Sequence, residues 1–242
     1  MGAVLPLSDS DATSGPAMLA RLRLFQLVSP SLPIGGFTYS QGMERAVEDG
    51  WLGDAEATRD WLSAAMRDGL TYLDLPVIRR LYEAVQEESP ERFSAWSGYL
   101  LASRETAELR QEELQRARAL GEVLDKLPHG FEAHRLGPYR PGVAASQAAG
   151  FALAGVEWRV PLNELLSGFA WSWLENGVNA AIKLVPLGQT AGQALMYELS
   201  ERIPDLIKTA LWVSDDELGA STPALAIASS LHETQYCRLF RS

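Results

Sequence analysis

The sequence predicts an all-α protein, a single-domain helical bundle of about nine or ten helices. Three observations carry this. Apolar residues recur at steps of three and four along most of the chain. Strand signals are nearly absent: alternating runs stay short, and no Asn-Gly hairpin sits between β-branched residues. The chain has 242 residues, 47% of them apolar, enough for one large core. No repeat of 20–50 residues is visible.

Residues 1–16 are small, polar and acidic with two prolines, and read as a disordered N-terminal segment. Residues 17–242 read as one domain. Met18, Leu22, Phe25 and Leu27 mark a first helix to Val28. After a Pro/Gly loop, a second helix is expected from Phe37 or Thr38 to Gly50, a natural glycine just past a helix end. Asp54 is the expected N-cap of a third helix. Its buried stripe is Leu62, Ala65, Met66, Gly69 and Leu73, and Pro76 ends or kinks it. The pattern resumes with Val77, Ile78, Leu81, Tyr82 and Val85. Ser89-Pro90 opens a long helix or helix pair to about Leu127. Within that stretch Glu112 and Arg116 form an i,i+4 pair worth about 0.3 kcal/mol. Pro128 to Gly142 is turn-rich and reads as a long loop inside the domain. Ala144 to Val156 is a small-residue helix. Pro161 opens another with Leu165, Leu166, Phe169, Trp173, Val178 and Ile182. A final long helix is expected over about Leu187 to Val213, and a short one after Thr222-Pro223.

Net charge is −10, which argues against nucleic acid or anionic lipid as the main partner. The lone cysteine, Cys237, allows no intrachain disulfide and fits a reducing cytoplasm. The start of the chain lacks the basic and apolar regions of a signal peptide, and no apolar run has the roughly 20 residues of a membrane span. There is no P-loop, no G-x-S-x-G, no H-E-x-x-H and no G-x-G-x-x-G. No catalytic residue and no metal ligand is assigned.

Isolated polar residues stand out less. His129 and His134 flank Gly130 at a spacing that does not share a helix face. His232 and Cys237 read as incidental residues of an exposed tail. Asp74 sits where a kinked helix would expose it. Glu175 interrupts an apolar helix, and a buried carboxylate needs a partner such as Lys183 or an arginine.

The segment "SPSLPIGGFTYSQGMERAVEDGWL", Ser29 to Leu52, is different in kind. Pro30 and Pro33 stiffen it, and Gly35-Gly36 permits close backbone approach. Phe37 and Tyr39 then stand beside Gln41, Glu44 and Arg45. A rigid loop with aromatics and a few polar groups suits recognition, because preorganisation limits the cost of binding. "LVPLGQTAGQ", Leu184 to Gln193, has a similar style beside Lys183.

Three segments together resemble the UreF family of urease accessory proteins. They are Leu24 to Leu52, "WSWLENGVNAAIKLVPLGQTAGQ" (Trp171 to Gln193) and "ASSLHETQYCRLFRS" (Ala228 to Ser242). The resemblance implies an all-helical, homodimeric chaperone rather than an enzyme. It implies work with UreD (also called UreH) and the nickel-carrying GTPase UreG to load the urease apoprotein, with regulation of GTP hydrolysis by UreG. Nickel is handled by the complex, and no cofactor is bound stably. Arg140 stands where the family often has a histidine, and Cys237 replaces a serine.

On this resemblance, Tyr39, Gln41, Glu44, Lys183 and Gln189, with Phe37 beside them, are the expected UreG-facing patch. Arg45 is an arginine-finger candidate by proximity alone. Tyr236, Arg238, Leu239, Phe240 and Arg241 make a partner-binding tail, mobile alone and ordering against UreD. These read as two docking faces. The alternatives are a helical enzyme with a pocket at Trp171, Trp173 and Glu175, and a direct nickel binder using His129, His134, His232 and Cys237.

Overall fold

The computed structural model describes residues 15–127, 133–219 and 221–242, with the backbone alone at 133–136. Every regular element among them is helical. The order is α1 (Gly15–Val28), a 3₁₀ turn (Gly36–Thr38), α2 (Met43–Glu48), α3 (Ala55–Ala65), a π-helical segment (Met66–Asp74) and α4 (Leu75–Gln86). Then come α5 (Pro90–Ala102), α6 (Ala107–Lys126), α7 (Ala133–Ala145) and α8 (Gln147–Glu157). The chain closes with α9 (Leu162–Leu184), α10 (Gln189–Ser200), α11 (Ile203–Ala210) and α12 (Pro223–His232). The disorder expected at the N-terminus lies outside the described residues apart from Gly15 and Pro16, which begin α1.

The core centres on α8, where every residue from Gln147 to Gly155 is buried. Its Ala and Gly side chains take little room, so α4, α6, α7 and α9 all pack against it. Phe151 meets Phe169 of α9 edge to face at 5.2 Å between ring centres. Ser146 caps α8 by accepting the Ala149 N–H at 3.1 Å.

Asp54 caps α3 as expected, accepting the Ala57 N–H at 2.9 Å. Pro76 does not end the helix that follows. The chain runs through the π segment straight into α4, and the Leu75 N–H bonds the Leu70 carbonyl five residues back. The wider turn accommodates a residue with no N–H of its own. Pro76 offers nothing to the Tyr72 carbonyl, and the Gly219 N–H reaches that oxygen at 3.0 Å from another part of the chain. Arg80, nearly buried, straps the same loop down. Its Nη2 donates to the Val213 carbonyl at 2.9 Å and its Nε to Asp215 at 2.7 Å.

Three other boundaries differ from expectation, and one open choice resolves. The second helix starts at Met43, because Gln41 and Gly42 both take left-handed backbone conformations. Gly50, with φ 76°, does lie just past its end. The charged stretch before Leu127 is a helix pair, divided where Thr106 caps α6 through the Leu109 N–H. From Ala133 the expected loop is helical despite Pro138 and Pro141; its first part, to 132, lies outside the described residues. The last long helix is two, since Pro204 near the start of α11 cannot donate to the preceding turn.

Candidate partner-docking site

The Pro/Gly loop is rigid because it bonds to itself. The Thr38 N–H and hydroxyl both donate to the Gly35 carbonyl, at 3.0 and 2.8 Å. Gly35 takes φ 71°, a conformation other residues resist. Gly42 is constrained further: it has φ 79°, and a Cβ there would stand 2.7 Å from the Ser229 backbone nitrogen. Only a glycine lets α12 lie this close to the start of α2.

The C-terminal tail does not hang free. It folds back and joins the loop main chain to main chain. The Arg241 N–H donates to the Thr38 carbonyl at 2.8 Å, and the Ser40 N–H donates to the Ser242 carbonyl at 2.7 Å. Glu44, buried at the start of α2, fastens the tail from beneath. Its carboxylate accepts the Leu239 N–H at 2.7 Å and the Phe240 N–H at 2.8 Å. The mobility expected from a polar terminus is overridden by these bonds and by burial of Phe240 and Ser242.

One face of α6 supplies the floor. Glu108, Glu112 and Gln115 lie at near-helical repeat. Glu108 takes Arg238 Nη1 at 2.8 Å and His232 Nδ1 at 2.7 Å. Glu112 takes Gln41 Nε2 at 3.0 Å, Arg116 Nη1 at 2.9 Å and the Ser242 hydroxyl at 3.1 Å. Gln115 takes the Tyr39 hydroxyl at 2.7 Å and Arg241 Nη1 at 3.2 Å. The Glu112–Arg116 pair, read from sequence as a small helix contribution, is buried and belongs to this network.

Deeper in, Arg104 bridges two buried carboxylates. Its Nη2 lies 2.5 Å from Asp74 and 2.8 Å from Glu113. Glu113 also accepts the Gln147 N–H, tying the cluster to α8. Burial pushes the Asp74 carboxyl up from its ordinary range, with Arg104 opposing and Glu113 adding to the shift. The paired carboxylates hold Arg104 charged against its own burial. Asp74 is therefore not exposed by the irregular helix; it is buried and paired. These residues line a cleft of about 80 Å³ that Trp173 and Arg116 also border.

The site residues read from the sequence divide by exposure. Phe37 is 61% exposed, Leu239 68%, and Tyr236 is fully exposed. Arg238, Arg241 and Lys183 are exposed as well. Tyr39, Glu44 and Phe240 are buried inside the subunit, where they build the joint, and Gln41 is half-buried beneath it. Lys183 joins the two segments: its Nζ stands 6.0 Å from the Phe37 ring centre and 5.5 Å from that of Phe240. Gln189 is exposed at the first turn of α10, outside the joint. Arg45 is engaged by Asp49 through two hydrogen bonds. Loop and tail thus form one surface instead of two separate faces. The supporting residues that the sequence did not point to are Ser40, Glu108, Gln115 and His232. Their partners lie 76–202 positions away, and no local pattern marks such pairs.

The other expectations divide too. His232 is buried between carboxylates while Cys237 is exposed, so the two do not converge. His129 lies outside the described residues, as does the side chain of His134. Among the described residues no group of three or more His, Cys, Asp or Glu is arranged to hold a metal ion. Trp171 and Trp173 border different clefts. Glu175 is half-buried and lies in no ion pair among the described residues; burial pushes its carboxyl up. No helix among them is long and apolar enough to cross a membrane.

The fold and site define an all-helical subunit, among its described residues, that presents an exposed surface on a braced joint of loop and tail. The comparisons give the family. Residues 52–200 match the UreF family model. The urease accessory protein UreF of Alcanivorax borkumensis is 51% identical over 225 residues, covering 92% of this chain and 98% of its own. UreF of Pseudomonas putida is 51% identical over 224 residues, covering 93% and 98%. UreF of Citrobacter koseri is 47% identical over 223 residues, covering 92% and 97%. The chain belongs to the UreF family of urease accessory proteins.

Proposed function

We propose that the chain bridges UreD (UreH) and the GTPase UreG during nickel insertion into the urease apoprotein, and that it modulates GTP hydrolysis by UreG. The observation that carries this is the joint itself. It presents Phe37, Tyr236, Leu239, Lys183 and Arg241 outward on a base fixed by buried hydrogen bonds. Exposed aromatics and arginines on a preorganised support are what a protein interface needs. Nickel is cargo of the complex, and this chain holds no cofactor of its own. The setting is the cytoplasm.

The active form is a homodimer. Helix α1 buries Ala20, Leu24 and Leu27 yet exposes Met18, Leu19, Leu22 and Phe25 on its other side. Phe25, with Leu24 and Val28 of the same helix and Trp171 of α9, borders an apolar groove of about 590 Å³. Arg21 and Glu164 stand 3.8 Å apart on the same face. A patch carrying both charges is self-complementary across a two-fold axis.

The test is co-purification of UreD and of UreG with the wild-type chain and with Phe37→Asp and Leu239→Asp, followed by GTP turnover of UreG with and without the chain. Loss of capture with unchanged helicity supports the reading; full capture by both variants rejects it. An unchanged turnover in the presence of the bound chain rejects the GTPase part alone.

A further inference from the structure

We propose that the loop following α11 is a further docking surface, separate from the joint, and that it receives a protein segment presenting lysine or arginine against Trp212, Asp216 and Glu217. The inference rests on the bridging role above only in where that segment is sought: in UreD, UreG or the urease apoprotein.

Trp212 is 84% exposed, more than any other tryptophan of the chain. Its neighbours in sequence do not cover it, since Ser214, Asp215, Asp216 and Glu217 are exposed as well. Two further exposed aromatics stand at the far end of the same loop. The Tyr99 hydroxyl donates to the Leu218 carbonyl at 3.2 Å, and the Tyr72 carbonyl accepts the Gly219 N–H. Tryptophan and tyrosine are the side chains that most often anchor a protein interface.

The loop is held rigid from beneath. Val213 is buried beside Trp212, and the carbonyl of Val213 accepts Arg80 Nη2. The Arg80 guanidinium also grips Asp215 and lies 5.1 Å from the Trp96 ring centre. Ser214 and Glu217 close the turn, with the Glu217 carboxylate accepting the Ser214 N–H at 3.0 Å and its hydroxyl at 2.8 Å. An exposed indole on a fastened loop loses little freedom when covered. These bonds run to the π segment, α4 and α5, whereas those of the joint run to α2, α6 and α12, so the two surfaces are distinct.

Charge selects the occupant. Arg80 is spent on Asp215, and Arg79 on Glu83. Glu217 is met only by the neutral Ser214, and Asp216 has no hydrogen bond or ion pair among the described residues. Asp205 and Lys208, exposed on the last turns of α11, add one charge of each sign and leave the surface net negative. A cationic side chain is thus offered carboxylates for its charge and an indole face for its stem or its cation. Phosphate backbones and anionic lipid are repelled by the same charge.

The experiment measures binding of UreD, of UreG and of the urease apoprotein to the full wild-type chain, to Trp212→Ala and to Asp216→Lys by biolayer interferometry. One of the three is expected to lose about tenfold or more in affinity with each variant. The loss with Asp216→Lys is expected to shrink between about 0.05 and 0.5 M salt, as screening shortens the reach of charge. Both side chains are exposed, so circular dichroism should match the wild type. Unchanged affinity for all three partners overturns the proposal. A loss with Trp212→Ala that Asp216→Lys does not share overturns it too, because the occupant is then not basic. If the wild-type chain binds none of the three, the bridging role falls and this surface with it; if it binds them and the variants match it, this surface alone falls.

Discussion

Glu44 shows how a residue read as a surface contact acts instead from within. Its carboxylate receives two tail amides and the His232 ring, in a place nearly closed to water. Glu44→Ala leaves those donors without an acceptor and is expected to destabilise the chain by about 3 kcal/mol. Denaturant unfolding measures that loss, and faster tryptic cleavage at Arg238 reports the freed tail. Asp74 gives a prediction in pH. Burial raises its pKa in the folded chain, so the folded state binds more protons than the unfolded one just above the ordinary aspartate range. Stability therefore falls as pH rises through that window, and the contribution is largest below it. Asp74→Asn should flatten this part of the stability profile, read as melting temperature against pH; an unchanged slope would assign it to another group.

Among the elements, regular helices were legible and their interruptions were not. The cap at Asp54 and the stripe Leu62, Ala65, Met66 and Leu73 follow from spacing and local hydrogen bonding and are found, while Gly69, expected in the same stripe, is only half-buried. Pro76 was legible as a disturbance, but its consequence depends on Gly219, more than a hundred positions away, which takes up the Tyr72 carbonyl. The start of α2 is set by a contact with α12 that no local pattern contains. Gly42 makes the point testable. A side chain there meets the α12 backbone, and the left-handed conformation alone costs roughly 1–2 kcal/mol. Gly42→Ala is expected to lower the melting temperature and raise exchange at Ser229 and in the tail, while α8 in the core stays protected. Equal loss of protection throughout would show that α12 and the core open together.

At the scale of the whole molecule, loop and tail lie at opposite ends of the chain yet meet over α6. The sequence singled out both segments; what it could not give was their union, because Ser40 and Ser242 are brought together only by the fold. The exposed side of α1 is a second surface, and Leu22→Asp is expected to convert a dimer into a folded monomer, measured by sedimentation with unchanged helical signal. A dimer that persists would move that interface elsewhere. The central claim is that loop and tail act as one docking face. Its most direct test is co-purification of UreD and UreG, each measured with Phe37→Asp and with Leu239→Asp in the full chain. The account predicts that any partner lost with one substitution is lost with the other. A partner lost through Phe37 but retained through Leu239, or the reverse, would contradict it.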